Sequence, residues 1–292
     1  MKKILLDTDM GCDCDDVGAL AVLCGAVKRG EAELLAVTHA IDNPNGLRFI
    51  KAMTDHYGLD IPLGRCHRPN FLNDEKYNRF IAPLAGKNSP VESRDSVSLL
   101  RSVLAFEREV TLITIGSFVN IAALLNSPPD EFSPLDGQAL VRQSVTCLYS
   151  MAGDFGDPAH AEFNIGCDIP AARTVAARCP VPIAYLGFEA GKDILTGEHL
   201  ATLSTNPLLR DAYDLYVGCH RAGHPFLRPS WDPATVYCAL YPENPLFVRS
   251  EPVAVTFDES GFAHTAPGGK DCFFTLCAEP DTAAQVINRL ML

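Results

Sequence analysis

Five aspartates, Asp7, Asp9, Asp13, Asp15 and Asp16, fall within the ten residues DTDMGCDCDD. Carboxylates this close in a concave site repel one another unless a cation sits among them. No histidine interrupts the run, so a hard divalent ion with oxygen ligands suits it, Ca²⁺ first and Mg²⁺ as the alternative. Helix capping is the competing role, because an apolar-rich segment begins at Asp15 and aspartate favours helix starts. The expectation is that one or two of these acids cap and at least two bind metal. Cys12 and Cys14 form a C-D-C element, but a soft-metal site needs further thiolates or imidazoles nearby. They read as small apolar fillers of a turn.

An Asp-x-Asp after a first strand also fits a Mg²⁺-dependent phosphohydrolase of the haloacid dehalogenase type. That chemistry needs a threonine or similar residue two places after the second aspartate, where this chain has Gly11. Further along, Asp168 before Ile169-Pro170 reads as a helix cap, and Asn120, at a helix start, as another.

The elements that must position these residues follow from hydrophobic periodicity. ILLDTD is a short strand running into acids, and Asp15 to Lys28 is a helix closed by Gly30. AELLAVTHAI, from Ala32 to Ile41, is a buried strand, and NGLRFIKAMTDHYG is a helix, which makes a βαβα start and implies a parallel sheet. The alternation returns in a strand from Val110 to Ile115 turning through Gly116 and Ser117 into a helix, then in TCLYSMAG, IPAARTVAARC and VPIAYLGF. Pro207 to Cys219 reads as a helix, and WDPATVYCAL as another with Asp232 as N-cap and Pro233 at its first position. Short strands with glycine turns and a closing helix of about a dozen residues end the chain. No repeat or linker divides it. The expected fold is one α/β domain over 1–292, a doubly wound, mostly parallel sheet flanked by helices with a Rossmann-like core. In such a sheet, ligands bind beyond the carboxyl ends of the strands, where the acidic loop, the Gly116 turn and the loop after Met151 fall.

Composition sets the outer limits. The net charge of −12 and the absence of a Lys/Arg stripe argue against a nucleic-acid partner. The start MKKILLDTDM has too short an apolar stretch for a signal peptide, and no run approaches the ~18 apolar residues of a membrane span. Eleven cysteines, an odd number, in a chain of 292 residues read as reduced thiols of a cytoplasmic protein.

Four segments in order carry a resemblance: DTDMGCDCDDVGAL, THAIDN, TLITIGSFVNIAALL, and the stretch from Met151 through AEFNIGCDIPAA, followed much later by SWDPATV. Together they resemble the inosine-uridine-preferring nucleoside hydrolase family, with two residues inserted before Asp15 and Asp16. The resemblance covers nearly the whole chain. It implies Ca²⁺-dependent hydrolysis of the N-glycosidic bond of ribonucleosides, and a homo-oligomer, dimer or tetramer, involved in purine or pyrimidine salvage. It also implies that Asp9, Asp16, the backbone carbonyl of Ile115 and Asp232 hold the ion, that Asp9 is the general base, and that Asp15, Asn43, Met151, Glu162 and Asn164 line a ribose pocket. Vicinal hydroxyls call for carboxylate and amide groups that accept and donate several hydrogen bonds at once. Glu162 and Asn164, two apart, would share one side of an extended segment.

Where the family often has histidine before the late aspartate, this chain has Trp231, and the family's His-Gly element in the first third is absent. Indole is no general acid at neutral pH, so Trp231 is expected to stack on the base. His220, Arg221 and His224 lie just upstream, with His224 taken as a base-side residue. Glu189 lies at a strand exit with no assigned role. A metal-dependent nucleoside or pentose sensor without turnover is the remaining alternative from another class.

Overall fold

The computed structural model describes residues 1–77, 79–86, 91–202, 205–218 and 226–292. Its centre is β1 (Lys2–Thr8), in which Ile4 and Leu6 enter one apolar cluster and Leu5 the other. Successive side chains of a strand point to opposite faces, so a strand covered on both sides reads as continuously apolar. Parallel neighbours are β2 (Ala32–His39) and β5 (Val110–Thr114), and the sheet extends through β3 (Leu63–Arg65) and β4 (Arg94–Asp95) on one side. On the other side lie β6 (Val145–Met151), β7 (Ile183–Leu186), β13 (Cys272–Leu276) and, antiparallel at the edge, β10 (Phe247–Arg249). Among the described residues this makes a nine-stranded sheet in the order β10-β13-β7-β6-β5-β1-β2-β3-β4.

Helices cover both faces, as the alternation predicts. Helices α1 (Asp15–Lys28), α2 (Pro44–His56), α9 (Pro207–Val217), α10 (Trp231–Leu240) and α11 (Pro280–Met291) supply one cluster. The other is built by α3 (Ser96–Phe106), α4 (Val119–Asn126), α5 (Gly137–Ser144) and α7 (Ile169–Arg178). The sequence reading had no counterpart for α3 and α5, although Asp95 and Asp136 cap them through backbone amides. Helix α10 begins two residues before the expected position, with Ser230 rather than Asp232 at its N-cap. That shift releases the Asp232 carboxylate from capping. No helix among the described residues is long and apolar enough to cross a membrane.

The acidic loop starts from a fixed base. Asp7 pairs in register with Thr38 on β2 and Thr114 on β5, and its buried carboxylate accepts from Thr38 Oγ1 at 2.5 Å, Thr114 Oγ1 at 3.2 Å and Asn120 Nδ2 at 2.8 Å. Burial still pushes its pKa up to about 6, against the pull of these donors. Asn120 is therefore not a helix cap. Its amide also donates to the His39 carbonyl and accepts from His67 N and Ser96 Oγ, so it ties α4 to three other segments beneath the loop. Replacing it by alanine leaves the Asp7 carboxylate short of a partner, and the expected loss is about 2–3 kcal/mol of stability, read by denaturant unfolding. An unchanged midpoint would remove Asn120 from this role.

Candidate active site

Strands β1, β5, β6 and β7 all end at one edge of the sheet, and a cavity of about 300 Å³ lies there. Asp9, Asp15, Asp16, Ile115, Met151, Glu162, Asn164, Trp231 and Asp232 line it, together with Cys12, Asp13, Phe163, Phe188, Tyr216 and Arg228. The position follows the rule for open parallel sheets, and the volume falls at the small end for ligand pockets. Glycine permits part of the convergence: a Cβ on Gly116 would sit 2.8 Å from Asp9 Cβ, so only glycine lets the β5 turn close on the acidic loop.

Helices α1 and α10 bring acids from opposite ends of the chain together. Asp15, Asp16 and Asp232 are all buried in first helical turns and can place one carboxylate oxygen each within 4.8 Å of one another. Asp15 Oδ2 accepts from the backbone N–H groups of Trp231 and Asp232 at 3.2 and 3.1 Å. The expected capping by the loop thus serves α10 rather than α1, whose N-cap Cys14 makes no side-chain capping bond. Asp16 accepts from Thr8 Oγ1, which leaves its other oxygen available. Asp9 is 3% exposed, and its Oδ2 has no hydrogen-bond partner. Buried polar atoms in native proteins are almost always paired, so an orphan carboxylate oxygen on the cavity that the three grouped carboxylates line marks a place for a bound group. The grouped donors are all carboxylate oxygens, Ile115 lines the same cavity, and a hard divalent cation fits such a set.

Crowding shows in the acidities. Burial, then neighbouring carboxylates, push Asp15, Asp16 and Asp232 well above the ordinary carboxylate range. Burial takes Asp9 up to about 7, and Glu162 also up to about 7 despite three backbone N–H donors. With folded values above unfolded ones, the cation-free folded protein holds more protons than the unfolded chain between roughly pH 4 and 7, so its stability falls as pH rises through that window. The melting temperature of chelator-treated protein is therefore expected to drop from about pH 5 to about pH 8, opposite to the usual acid-denaturation trend. A flat or rising profile would contradict the crowded site.

Also on the cavity, Glu162 is the N-cap of the short helix α6 (Phe163–Cys167), accepting from Asn164 N, Ile165 N and Gly153 N at 2.8, 3.1 and 3.2 Å. Asn164 Nδ2 donates to the Met151 carbonyl at 3.1 Å. The two residues meet as cap and first turn, not as alternate positions of an extended segment. Trp231, on the same cavity, stacks on Phe188 of α8 (Phe188–Gly191) with centroids 5.3 Å apart, and its indole N–H is occupied by the Phe188 carbonyl at 2.8 Å. A Cβ on Gly191 would lie 2.5 Å from the Trp231 ring, so glycine sets the depth at which the indole packs.

Two expectations fall outside this assembly. Asn43 does not line the cavity; it caps α2 by accepting from Asn45 N at 2.9 Å and donates to Asn73 Oδ1 at 3.1 Å, because the chain turns into the Pro44 helix at that point. His224, with His220 and Arg221, lies outside the described residues. Asp168 caps α7 as expected. Glu189, pushed up to about 7 by burial and accepting from Phe155 N, stands outside the cavity lining. Sequence reasoning missed the aromatic residues Phe163, Phe188 and Tyr216 and the cation Arg228, which also line the cavity. The one local signal was Arg228 beside the single tryptophan of the chain.

An α/β sheet with a buried acid cluster at its strand exits defines a protein with a cation-competent small-molecule site. The family follows from a match to the model described as inosine-uridine preferring nucleoside hydrolase, over residues 4–268. The chain belongs to that family. A curated relative, the non-specific ribonucleoside hydrolase RihC of Escherichia coli (strain SMS-3-5 / SECEC), is 25% identical over 213 residues, 68% of this chain and 66% of the relative. The aligned part thus spans just under two thirds of that relative's length. The fold is shared with the inosine-uridine preferring nucleoside hydrolase of Bacillus anthracis, with a TM-score of 0.76 at 18% identity over 100% of this chain and 99% of the other. It is also shared with the purine-preferring ribonucleoside hydrolase of Gardnerella vaginalis, with a TM-score of 0.73 at 20% identity over 99% and 98%.

Proposed function

We propose that the protein hydrolyses the N-glycosidic bond of ribonucleosides to ribose and free base, with Ca²⁺ held by Asp9, Asp16, the Ile115 carbonyl and Asp232. The observation that carries this reading is the buried, unpartnered Asp9 Oδ2 on the cavity where the carboxylates of Asp15, Asp16 and Asp232 converge. When bound, the cation offsets the carboxylate charge and acidifies water at the site. Asp9, raised to about 7 by burial without the cation, takes the proton of the attacking water as general base. Asp15, Glu162, Asn164 and the Met151 backbone hold the ribose, and their negative character favours the oxocarbenium-like sugar of the transition state. Trp231 covers the base. The ten described cysteines, none of them paired, favour a reducing compartment such as the cytoplasm.

Nucleosides assayed for released reducing sugar with calcium, beside a generic phosphate ester assayed for phosphate, test the reading. Sugar release without phosphate release is expected; binding without sugar release would convert the protein into a nucleoside sensor. Trp231→Ala is expected to weaken nucleoside binding roughly tenfold or more, a typical stacking contribution, and free ribose binding far less. Equal losses for both ligands would take Trp231 out of the base subsite.

A further inference from the structure

Trp231 stands where the family often has histidine, and its indole N–H is engaged by the Phe188 carbonyl, so this side chain offers no proton to a leaving base. The one cation among the described cavity-lining side chains is Arg228, on the short strand β9 (Arg228–Pro229). Its guanidinium carbon lies 5.2 Å from the ring centroid of Tyr216 and 5.2 Å from that of Trp231, both of which line the same cavity. Asp13 fixes the plane of the group: Nε meets both carboxylate oxygens at 3.0 Å, and Nη2 binds Asp13 Oδ2 and approaches the Tyr216 hydroxyl at 3.4 Å. Nη1 has no acceptor among the described residues. A guanidinium keeps its protons at any ordinary pH, so it serves as a fixed charged donor and never as an acid.

We infer that Arg228 is the leaving-group residue of this site, and that it stabilises the departing base as an anion rather than protonating it. The inference rests on the N-riboside hydrolase reading above. The C1′–N bond breaks with its electron pair moving onto the base nitrogen, and negative charge spreads to the exocyclic oxygens or ring nitrogens facing Arg228. The water oxygen bonds C1′ and gives a proton to Asp9; the released base anion then takes a proton from solvent, and Asp9 returns its own. Charge-assisted donation from a planar group near two aromatic rings strengthens as that anion develops.

The test compares Arg228→Met and Arg228→Lys with the unaltered protein on uridine, inosine and 4-nitrophenyl riboside, whose phenolate leaves without help. Arg228→Met should lower kcat/KM on the two nucleosides by about 100-fold, the usual scale for losing one charge-stabilising donor, and on the nitrophenyl riboside by a far smaller factor. Arg228→Lys should recover part of the loss, and the nitrophenyl activity confirms that the sugar half has folded. Equal losses on all three substrates would make Arg228 a structural partner of Asp13 and overturn the inference. No hydrolysis of any of the three by the unaltered protein would instead overturn the N-riboside reading beneath it.

Discussion

Asp9→Ala is expected to lower turnover of a good ribonucleoside substrate on the order of 10⁴-fold, with no loss of thermal stability in the cation-free protein. The activity loss follows from two roles in one side chain, since the carboxylate both receives the water proton and supplies an oxygen to the cation. The stability outcome is the less intuitive half. A buried side chain with an unpaired oxygen, surrounded by other buried acids, opposes folding when ionised. Its removal relieves that repulsion, so the variant should melt at the same temperature or higher, with the gain growing from about pH 6 to pH 8. Near-normal turnover would refute Asp9 as the base, and a large fall in melting temperature would show that it supports the fold instead.

Metal removal is expected to produce an effect of comparable size. Protein treated with a calcium chelator should lose nucleoside hydrolysis, and added Ca²⁺ should restore it. Calcium at about a hundred times its dissociation constant should also stabilise the fold by about 2.7 kcal/mol through mass action. The shift should increase with pH, because the carboxylates must shed the protons that crowding holds on them before they bind the ion. In Asp232→Asn the calcium-dependent shift should largely vanish while the cation-free protein folds. Activity and melting temperature indifferent to both chelator and calcium would contradict the cation assignment.

Much of this arrangement was legible before any coordinates. The strands and helices that carry the acids have strong periodicity, and α1 runs from Asp15 to Lys28 as the pattern indicates. The order of elements implied a parallel sheet, and the sheet rule then put the loops after β1, β5 and β6 on one edge. What escaped was set by tertiary contacts. Asn43 has the right type and place for a sugar ligand, yet the helix that starts at Pro44 engages its side chain. Asn120 looked like a cap because its helix begins nearby, whereas the buried Asp7 recruits its amide across the sheet. Asp15 caps a helix more than 200 residues away rather than its own, which no local pattern could report. The part of the cavity lined by Tyr216, Phe188 and Arg228 is assembled from separate elements, so its residues share no motif.

A calcium-soaked crystal of the protein gives the most direct test of the convergence of Asp9, Asp16 and Asp232. Electron density for one ion coordinated by these carboxylates and the Ile115 carbonyl, at the roughly 2.3–2.6 Å typical of calcium–oxygen bonds, is the expected result. Carboxylates turned away from one another, with no ion between them at saturating calcium, would contradict it.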